Sequence, residues 1–366
     1  MRADLRYRAQ SRLALWRARC SKVECEMGPA EAPRYCQAVP SGWQADLDTE
    51  QRWISNACPR RGRMSDAGGC QMSVSQRTAL SEDERFCRDL TRREAANFYW
   101  GFIALPRPKR LAIYALYSFA RQVDDEADLA NSSSGHDPHP CGGDTDLFKP
   151  HRERIKRCYT GRADDPVMRV LAEVVAEYGI PREDLEALVD GVEMDLRVSR
   201  YASWEQLRRY CRLVASSVGR MCVRIFGFSD PAALDYADNL GVAMQLANIL
   251  RDVREDMGLG RIYLPQDELR RFGVGEQIPL SGSPTPGWEG LMRYEIERAR
   301  RLFASGLRVT QMIPRRPAAC VFTMAGIYEA IVDQIASDPS LPLTRRASLS
   351  GRGKLAVMAR SWLQAV

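Results

Sequence analysis

Residues 245–256 read Gln-Leu-Ala-Asn-Ile-Leu-Arg-Asp-Val-Arg-Glu-Asp, an acidic helical segment within an otherwise apolar sequence. At 3.6 residues per turn, one stripe of this helix stacks Gly241, Gln245, Asn248, Asp252 and Asp256. Carboxylates one turn apart repel each other, and an acidic cluster near a helix C-terminus also opposes the helix dipole. The segment therefore predicts a helix that presents oxygen ligands to something cationic.

A second acidic segment, Asp-Asp-Glu-Ala-Asp at residues 124–128, lies more than a hundred residues earlier and repeats this design. Its stripe contains Tyr117, Arg121, Asp124 and Asp128. Neither stripe contains His or Cys, and carboxylate and amide oxygens suit Mg²⁺, which binds a few carboxylates together with substrate phosphates. Arg121 and Arg251 lie beside these ligands and suit phosphate oxygens. Either segment alone is typical of a solvated acidic face, but the matching pair favours a shared site.

The residues from about Cys87 to Trp362 resemble the squalene/phytoene synthase family, the head-to-head prenyl synthases. The resemblance rests on residues 97–106 (Asn-Phe-Tyr-Trp-Gly-Phe-Ile-Ala-Leu-Pro), 113–128, 245–256 and 260–265 (Gly-Arg-Ile-Tyr-Leu-Pro). It implies an all-α, single-domain, isoprenoid synthase-type helical bundle around a central cavity. The two aspartate helices would face each other across the mouth of that cavity. From the residues themselves, the Pro and Gly residues between helical segments predict helices that include 166–178, 204–225 and 231–255.

The resemblance also implies three overlapping sets of site residues. The metal ligands, for Mg²⁺ or Mn²⁺, would be Asp124, Asp128, Asn248, Asp252 and Asp256. The catalytic set would be Asp124, Asp128, Tyr117, Tyr210 and Asp252. The substrate-binding set would be Asn97, Phe98, Arg121, Val214, Val218, Gly219, Gln245, Arg251 and Arg261.

The helix that contains Tyr210 is open to two interpretations, and Asn97 is not the usual family residue. From the residues alone, one helical face among small residues is shared by Tyr210, Val214, Val218 and Met221, a pattern typical of tight helix packing. The resemblance implies that the same helix lines the isoprenoid tunnel, and both roles are compatible. Asn97 departs from the family pattern, because many relatives have serine there, and Ala95 replaces a second small hydroxyl residue. The contacts with diphosphate near Asn97 are therefore expected to differ.

Three functions agree with the resemblance. Residues 214–227 and 313–317 look closer to the bacterial hopanoid branch, which joins two farnesyl diphosphates to presqualene diphosphate, and this reaction is favoured. NADPH is not expected, although squalene synthases bind it without a Gly-x-Gly-x-x-Gly motif. The alternative is 15-cis-phytoene synthase, which uses two geranylgeranyl diphosphates. A non-catalytic assembly-factor relative is the third, but such relatives lose the aspartates that this chain keeps.

Charge and composition limit the partners and divide the chain. The net charge is +6, and residues 1–63 alone contain 12 Lys/Arg and 7 Asp/Glu, a surplus of five. The remainder is almost neutral, which argues against a nucleic-acid partner. Residues 1–80 are predicted to be disordered, or to precede a true start at Met64 or Met72, and residues 81–366 to be the catalytic domain. A transit peptide is the weaker explanation of the early arginines.

No apolar run reaches the roughly 18 residues of a membrane-spanning helix. The best candidate, residues 318–328, is expected to be a core helix. The 11 cysteines include no CxxC pair, so reduced thiols are expected. We expect a cytoplasmic enzyme that binds prenyl diphosphates, with peripheral contact at the inner face of the membrane.

Overall fold

The computed structural model describes residues 80–95, 98–133, 147–275, 278 and 285–365. The described residues all belong to one compact unit. The predictions for residues 1–79 and for Asn97 lie outside this part of the chain.

The described residues are almost entirely helical. The α-helices are α1 (Glu82–Glu94), α2 (Tyr99–Phe102), α3 (Arg107–Ser133), α4 (Lys149–Tyr159), α5 (Pro166–Tyr178), α6 (Arg182–Arg197), α7 (Trp204–Cys211), α8 (Ser217–Phe226), α9 (Ala233–Arg251), α10 (Val253–Gly258), α11 (Gln266–Arg271), α12 (Pro286–Gly306), α13 (Arg315–Ser337), α14 (Leu341–Thr344) and α15 (Gly351–Gln364). A π turn, Arg212–Ser216, joins α7 to α8, and a 3-10 turn, Leu307–Gln311, follows α12. The predicted all-α, single-domain bundle is confirmed.

Local sequence signals account for several helix ends. Helix α5 begins after Asp165, whose side chain accepts hydrogen bonds from the backbone N–H groups of Val167 and Met168. It ends at Gly179, whose φ of 60° is the left-handed conformation that glycine adopts without strain. The predicted bounds of this helix, Pro166 and Tyr178, are confirmed.

Two predicted continuous helices are interrupted. The helix predicted for residues 204–225 contains the π turn Arg212–Ser216. Helix α9 packs directly against this turn, because a Cβ added to Gly241 of α9 would lie only 2.7 Å from the Ser216 Cα. The helix predicted for residues 231–255 instead ends at Arg251, and α10 begins after Asp252. Periodicity could not reveal either interruption, since both depend on contacts with distant residues.

Helix α9 lies at the centre of the bundle and packs against α8, α12, α13 and the π turn. Its buried side chains are mostly small or aliphatic, among them Ala243, Leu246 and Leu250. Close approach to α12 requires glycine, because a Cβ on Gly306 would lie 2.6 Å from the Leu240 Cα. Asn248 therefore lies on a closely packed central helix, and Asp252 and Asp256 follow directly after the end of that helix.

Helix α13 is the one described helix that is long and apolar enough to span a membrane, by length and composition alone. Much of its most apolar window, 61%, is buried inside the fold. Its inward side chains include Cys320, Ile327 and Ile331. The prediction that residues 318–328 belong to a core helix agrees with this burial, and the helix extends well beyond them on both sides.

Candidate active site

The first stripe lies on α3. The Arg121 guanidinium is 2.7 Å from a carboxylate oxygen of Asp125 and 3.8 Å from one of Asp128. Its Nε is buried and has no acceptor among the described residues. A buried guanidinium N–H without an acceptor is costly, so Arg121 retains capacity to bind an anion.

Asp124 lies one turn from Arg121 on the same stripe. Its side chain keeps contact with solvent but lies deep among protein atoms, and this desolvation raises its pKa to about 7. The Arg121 guanidinium opposes the rise, whereas the carboxylates of Asp128 and Asp195 add to it. The surroundings of Asp124 therefore disfavour its negative charge unless a cation is added.

The second stripe crosses the junction between α9 and α10. Asp252 lies at the break, but its N–H still donates to the Asn248 carbonyl at 2.9 Å, and the Asp256 N–H donates to the Asp252 carbonyl at 2.9 Å. Asn248 also donates from its side chain to the Gln245 Oε1 at 3.3 Å. The helical hydrogen bonds therefore preserve the predicted stripe across the break.

Asp252 is held by two arginines. The Arg251 Nε donates to its Oδ1 at 2.7 Å, and the Arg346 Nε is 2.8 Å from the same oxygen. Arg251 is almost fully buried, whereas half of the Arg346 side chain is exposed. No arginine forms such a pair with Asp256 among the described residues, and desolvation, followed by the Asp252 carboxylate, raises the pKa of Asp256 to about 7.

The carboxylate of Asp195 on α6 is half-buried and lies near both stripes. It accepts hydrogen bonds from the hydroxyl groups of Tyr210 and Tyr263, each at 2.8 Å. Its charge contributes to the raised pKa of both Asp124 and Asp256. Helix α3, which carries Asp124, packs against α6. The Arg261 backbone N–H donates to the Asp256 carbonyl oxygen at 2.8 Å, and its Nη2 donates to the Asp195 carbonyl oxygen at 2.8 Å. Both stripes therefore lie beside Asp195.

The residues predicted to line the tunnel lie where helices pack closely together. Tyr210 is buried on α7 and its ring stacks on that of Tyr263, with centroids 5.3 Å apart. Val214 lies in the π turn against Gly191 of α6, where an added Cβ would be 2.6 Å from the Val214 Cγ1. Gly219 similarly approaches the Ala237 carbonyl of α9. The predicted single stripe through Tyr210, Val214 and Val218 is wrong as a continuous α-helical face, because a π turn contains one extra residue.

Aromatic side chains line the other side of the site. The Phe98 ring lies 6.5 Å from that of Tyr117 and 6.2 Å from that of Tyr328, measured between centroids. A cavity of about 360 Å³ opens beside these rings. Its lining includes Phe98, Asn248, Arg251, Tyr328, Arg346 and Lys354.

Several of these residues were not predicted from the sequence. Asp195 is one of six acidic residues in an ordinary amphipathic helix, so nothing in the sequence distinguishes it, and Tyr328 lies within an apolar run. Arg346 belongs to a polar Arg-Arg pair with no recognisable motif. Arg261, which was predicted, donates from Nη2 to the Asp195 carbonyl oxygen at 2.8 Å and opposes the raised pKa of Asp256. Only the packing of distant helices brings these side chains together.

The donor set fits a hard cation that is shared with a substrate. Both stripes offer oxygen atoms alone, and desolvated carboxylates such as Asp124 and Asp256 favour added positive charge. No three His, Cys, Asp or Glu side chains converge as metal ligands within the described part of the chain. An ion bound here would therefore need further ligands, and Mg²⁺ commonly takes them from phosphates and water.

Comparisons with known proteins agree with this arrangement. The family model for squalene/phytoene synthase matches residues 91–353. A phytoene synthase of Mycobacterium tuberculosis is 35% identical over 292 residues, which cover 79% of this chain and 93% of that protein. A 15-cis-phytoene synthase of Synechocystis sp. is 31% identical over 334 residues, which cover 88% and 97%. The crystal structure of squalene synthase HpnC from Alicyclobacillus acidocaldarius is similar with a TM-score of 0.62 at 30% identity, covering 72% of this chain and 95% of that one.

Proposed function

The chain belongs to the squalene/phytoene synthase family of prenyltransferases, and we propose that it joins two farnesyl diphosphates head to head to give presqualene diphosphate. The observation that supports this proposal is that both oxygen-ligand stripes lie beside Asp195, where desolvation raises the pKa of Asp124 and of Asp256. Arginines from three parts of the fold, Arg121, Arg251 and Arg346, lie beside these carboxylates. Such a site suits a charged diphosphate at the end of an apolar chain.

The reaction begins when the carbon–oxygen bond of one substrate breaks, leaving an allylic cation and a diphosphate anion. Arg121 and Arg251 would bind oxygens of that leaving group. Mg²⁺ or Mn²⁺, held by Asp124, Asp128, Asn248, Asp252 and Asp256, would supply the positive charge that stabilises the departing diphosphate. The double bond of the second substrate then attacks the cation, and loss of a proton closes the cyclopropane ring.

The allylic cation must be protected from water while it exists. Tyr117 and Phe98 present aromatic faces beside the first stripe, and each ring stabilises a nearby cation by roughly 0.5–2 kcal/mol. Tyr210 is buried and fixed by its hydrogen bond to Asp195, so it would meet the reacting carbons in one orientation. These residues would therefore form the water-excluding wall of the site.

Aromatic rings also lie along the course that an apolar substrate chain would take from Asp124. Tyr117 precedes Asp124 by seven residues on α3, a rise of about 10 Å. An apolar chain running along this stripe from a diphosphate at Asp124 would meet Tyr117 and the buried Phe102, whose rings are 6.4 Å apart. These rings would therefore contact the apolar chain of either substrate, and enlarging the site at one of them tests which chain length it prefers.

Phytoene synthesis from two geranylgeranyl diphosphates is the second candidate. The observation in its favour is the name of the two relatives above, at 35% and 31% identity, which are both phytoene synthases. The chemistry at the carboxylates would be the same, and only the length of the apolar chain would differ. We infer further that NADPH is not required, that the enzyme is cytoplasmic, and that it contacts the inner face of the membrane peripherally.

A product assay separates these reactions. The purified protein is incubated with Mg²⁺ and either farnesyl or geranylgeranyl diphosphate, with and without NADPH, and extracts are analysed by mass spectrometry. We expect presqualene diphosphate from farnesyl diphosphate in both conditions. Squalene formed only with NADPH would indicate a full squalene synthase, and product from geranylgeranyl diphosphate alone would indicate phytoene synthesis. Phe102→Ala tests the role of the rings, since it should increase use of the longer substrate.

A further inference from the structure

Helix α15 presents an apolar face to solvent. The side chains of Leu355, Trp362 and Leu363 are 51%, 41% and 78% exposed. Their spacing of seven and eight residues places them on one side of the helix, with Ala359 between them. Three large exposed apolar side chains on one helical face indicate an interaction surface rather than scattered surface residues.

The opposite face anchors α15 to the bundle through little buried surface. Met358 and Ser361 are the buried residues of this helix, and it packs mainly against α13. A groove of about 560 Å³, whose lining includes Phe303, Phe322 and Val357, separates it from α12 and part of α13. The outer apolar residues therefore add nothing to the core.

Helix α15 carries three basic residues and no acidic residue, whereas Glu329 and Asp333 of α13 line the groove on its inner side. Residues 339–366 contain five Lys/Arg and no Asp/Glu. Arg352 and Arg360 are exposed and lie at the border of the apolar face. An apolar face bordered by basic side chains and including tryptophan suits the boundary of an anionic lipid bilayer. A second copy of the chain fits less well, because two such faces in contact would bring their arginines together.

The position of α15 connects this surface with the active site. Leu349 and Lys354, at the start of the helix, line the same cavity as Asn248 and Arg251. A bilayer beneath α15 would thus lie beside the site in which apolar chains are joined. We propose that the outer face of α15 binds an anionic lipid bilayer, through Leu355, Trp362 and Leu363 in the acyl boundary and Arg352 and Arg360 at the head groups.

This inference extends the membrane contact suggested with the proposed function, so its test separates binding from turnover. The full chain is sedimented with vesicles of phosphatidylcholine, with or without phosphatidylglycerol. We expect strong binding only when phosphatidylglycerol is present, and weaker binding at high salt because exposed charges are screened. The triple variant Leu355→Ser, Trp362→Ser, Leu363→Ser should bind at least tenfold more weakly. Its turnover in detergent should match that of the wild type.

Phe86→Ser is the matched control, since Phe86 is 47% exposed on α1; it should bind vesicles like the wild type. Equal binding by the triple variant, or an equal loss in the control, would overturn the proposal. So would a change from dimer to monomer in the triple variant without a change in vesicle binding, because the face would then join two copies. If the triple variant loses its helical circular dichroism, Arg352→Gln with Arg360→Gln must still abolish the preference for phosphatidylglycerol. A wild-type enzyme that binds vesicles but lacks turnover would refute only the proposed function.

Discussion

Substituting Asp195 by asparagine tests the centre of the site. Asp195 accepts two hydrogen bonds of 2.8 Å, from the buried hydroxyl groups of Tyr210 and Tyr263. Asparagine has one acceptor oxygen, and its NH₂ group cannot accept, so one tyrosine hydroxyl loses its partner. A buried hydroxyl left unpaired costs roughly 1–3 kcal/mol.

The lost charge offsets part of this cost. Desolvation raises the pKa of Asp195 above its usual value even though both tyrosine hydroxyls favour the carboxylate. A raised pKa in the folded state gives stability that is present below about pH 4 and is lost as the pH rises through the folded pKa. Asp195→Asn lacks this pH-dependent loss, so its net destabilisation at neutral pH should be only about 1–2 kcal/mol, or a few degrees in Tm. The loss of unfolding free energy in Asp195→Asn, relative to the wild type, should be larger at pH 4.5 than at pH 7.5.

Activity should fall much more than stability. Asp195 fixes the orientation of Tyr210, and misplacing a group beside the reacting carbons lowers kcat. We expect kcat to fall at least tenfold in Asp195→Asn, with KM nearly unchanged. Tyr263→Phe is the matched control, because it removes one donor to Asp195 and leaves the Tyr210 hydrogen bond intact. A wild-type kcat in Asp195→Asn, or an equal loss in Tyr263→Phe, would refute the positioning role.

Three further outcomes are expected. Asp124→Asn and Asp252→Asn should each abolish turnover in a product assay while thermal melting shows a folded protein; near wild-type turnover in either would contradict the two-stripe metal site. A chain that begins at Met72 should fold and retain activity, because the preceding composition is too polar to form a core; an insoluble or inactive product would reveal a structural role. Arg346→Gln should raise KM for the diphosphate several-fold, because Arg346 contacts Asp252, and barely alter Tm, since exposed ion pairs contribute little. Arg345→Gln is the control at the neighbouring residue, and equal effects of the two substitutions would contradict a role of Arg346 at the site.

The fold could be predicted wherever local signals are complete. Helix α5 has an N-capping aspartate, a proline in its first turn and a glycine after its end, so both bounds follow from residues 165–179. The π turn within residues 204–226 has no comparable signal. It lies where Gly241 of α9 contacts Ser216, and such a contact is a property of the packed helices rather than of either segment.

The candidate site, like the fold, could be predicted from the sequence only in part. The two stripes follow from helical periodicity, because ligands one turn apart are neighbours in any helix. Asp195 and Tyr263 are 68 residues apart, and Asp252 and Arg346 are 94 apart. Their hydrogen bonds depend on how α6, α9 and the segment after α14 are placed around the centre. Side chains that act on a ligand from distant segments have no common spacing for a sequence pattern to detect.

The carboxylates of this site are better explained by binding than by stability. Desolvation raises the pKa of Asp124, Asp195 and Asp256, so each contributes stability only at low pH and loses it as the pH rises. At neutral pH their charges therefore oppose folding. A protein shaped by stability alone would replace such groups with apolar side chains of similar volume. Retaining three destabilised acids near one another, beside arginines that could bind an anion, fits a site whose charge is balanced only when cation and diphosphate are bound together.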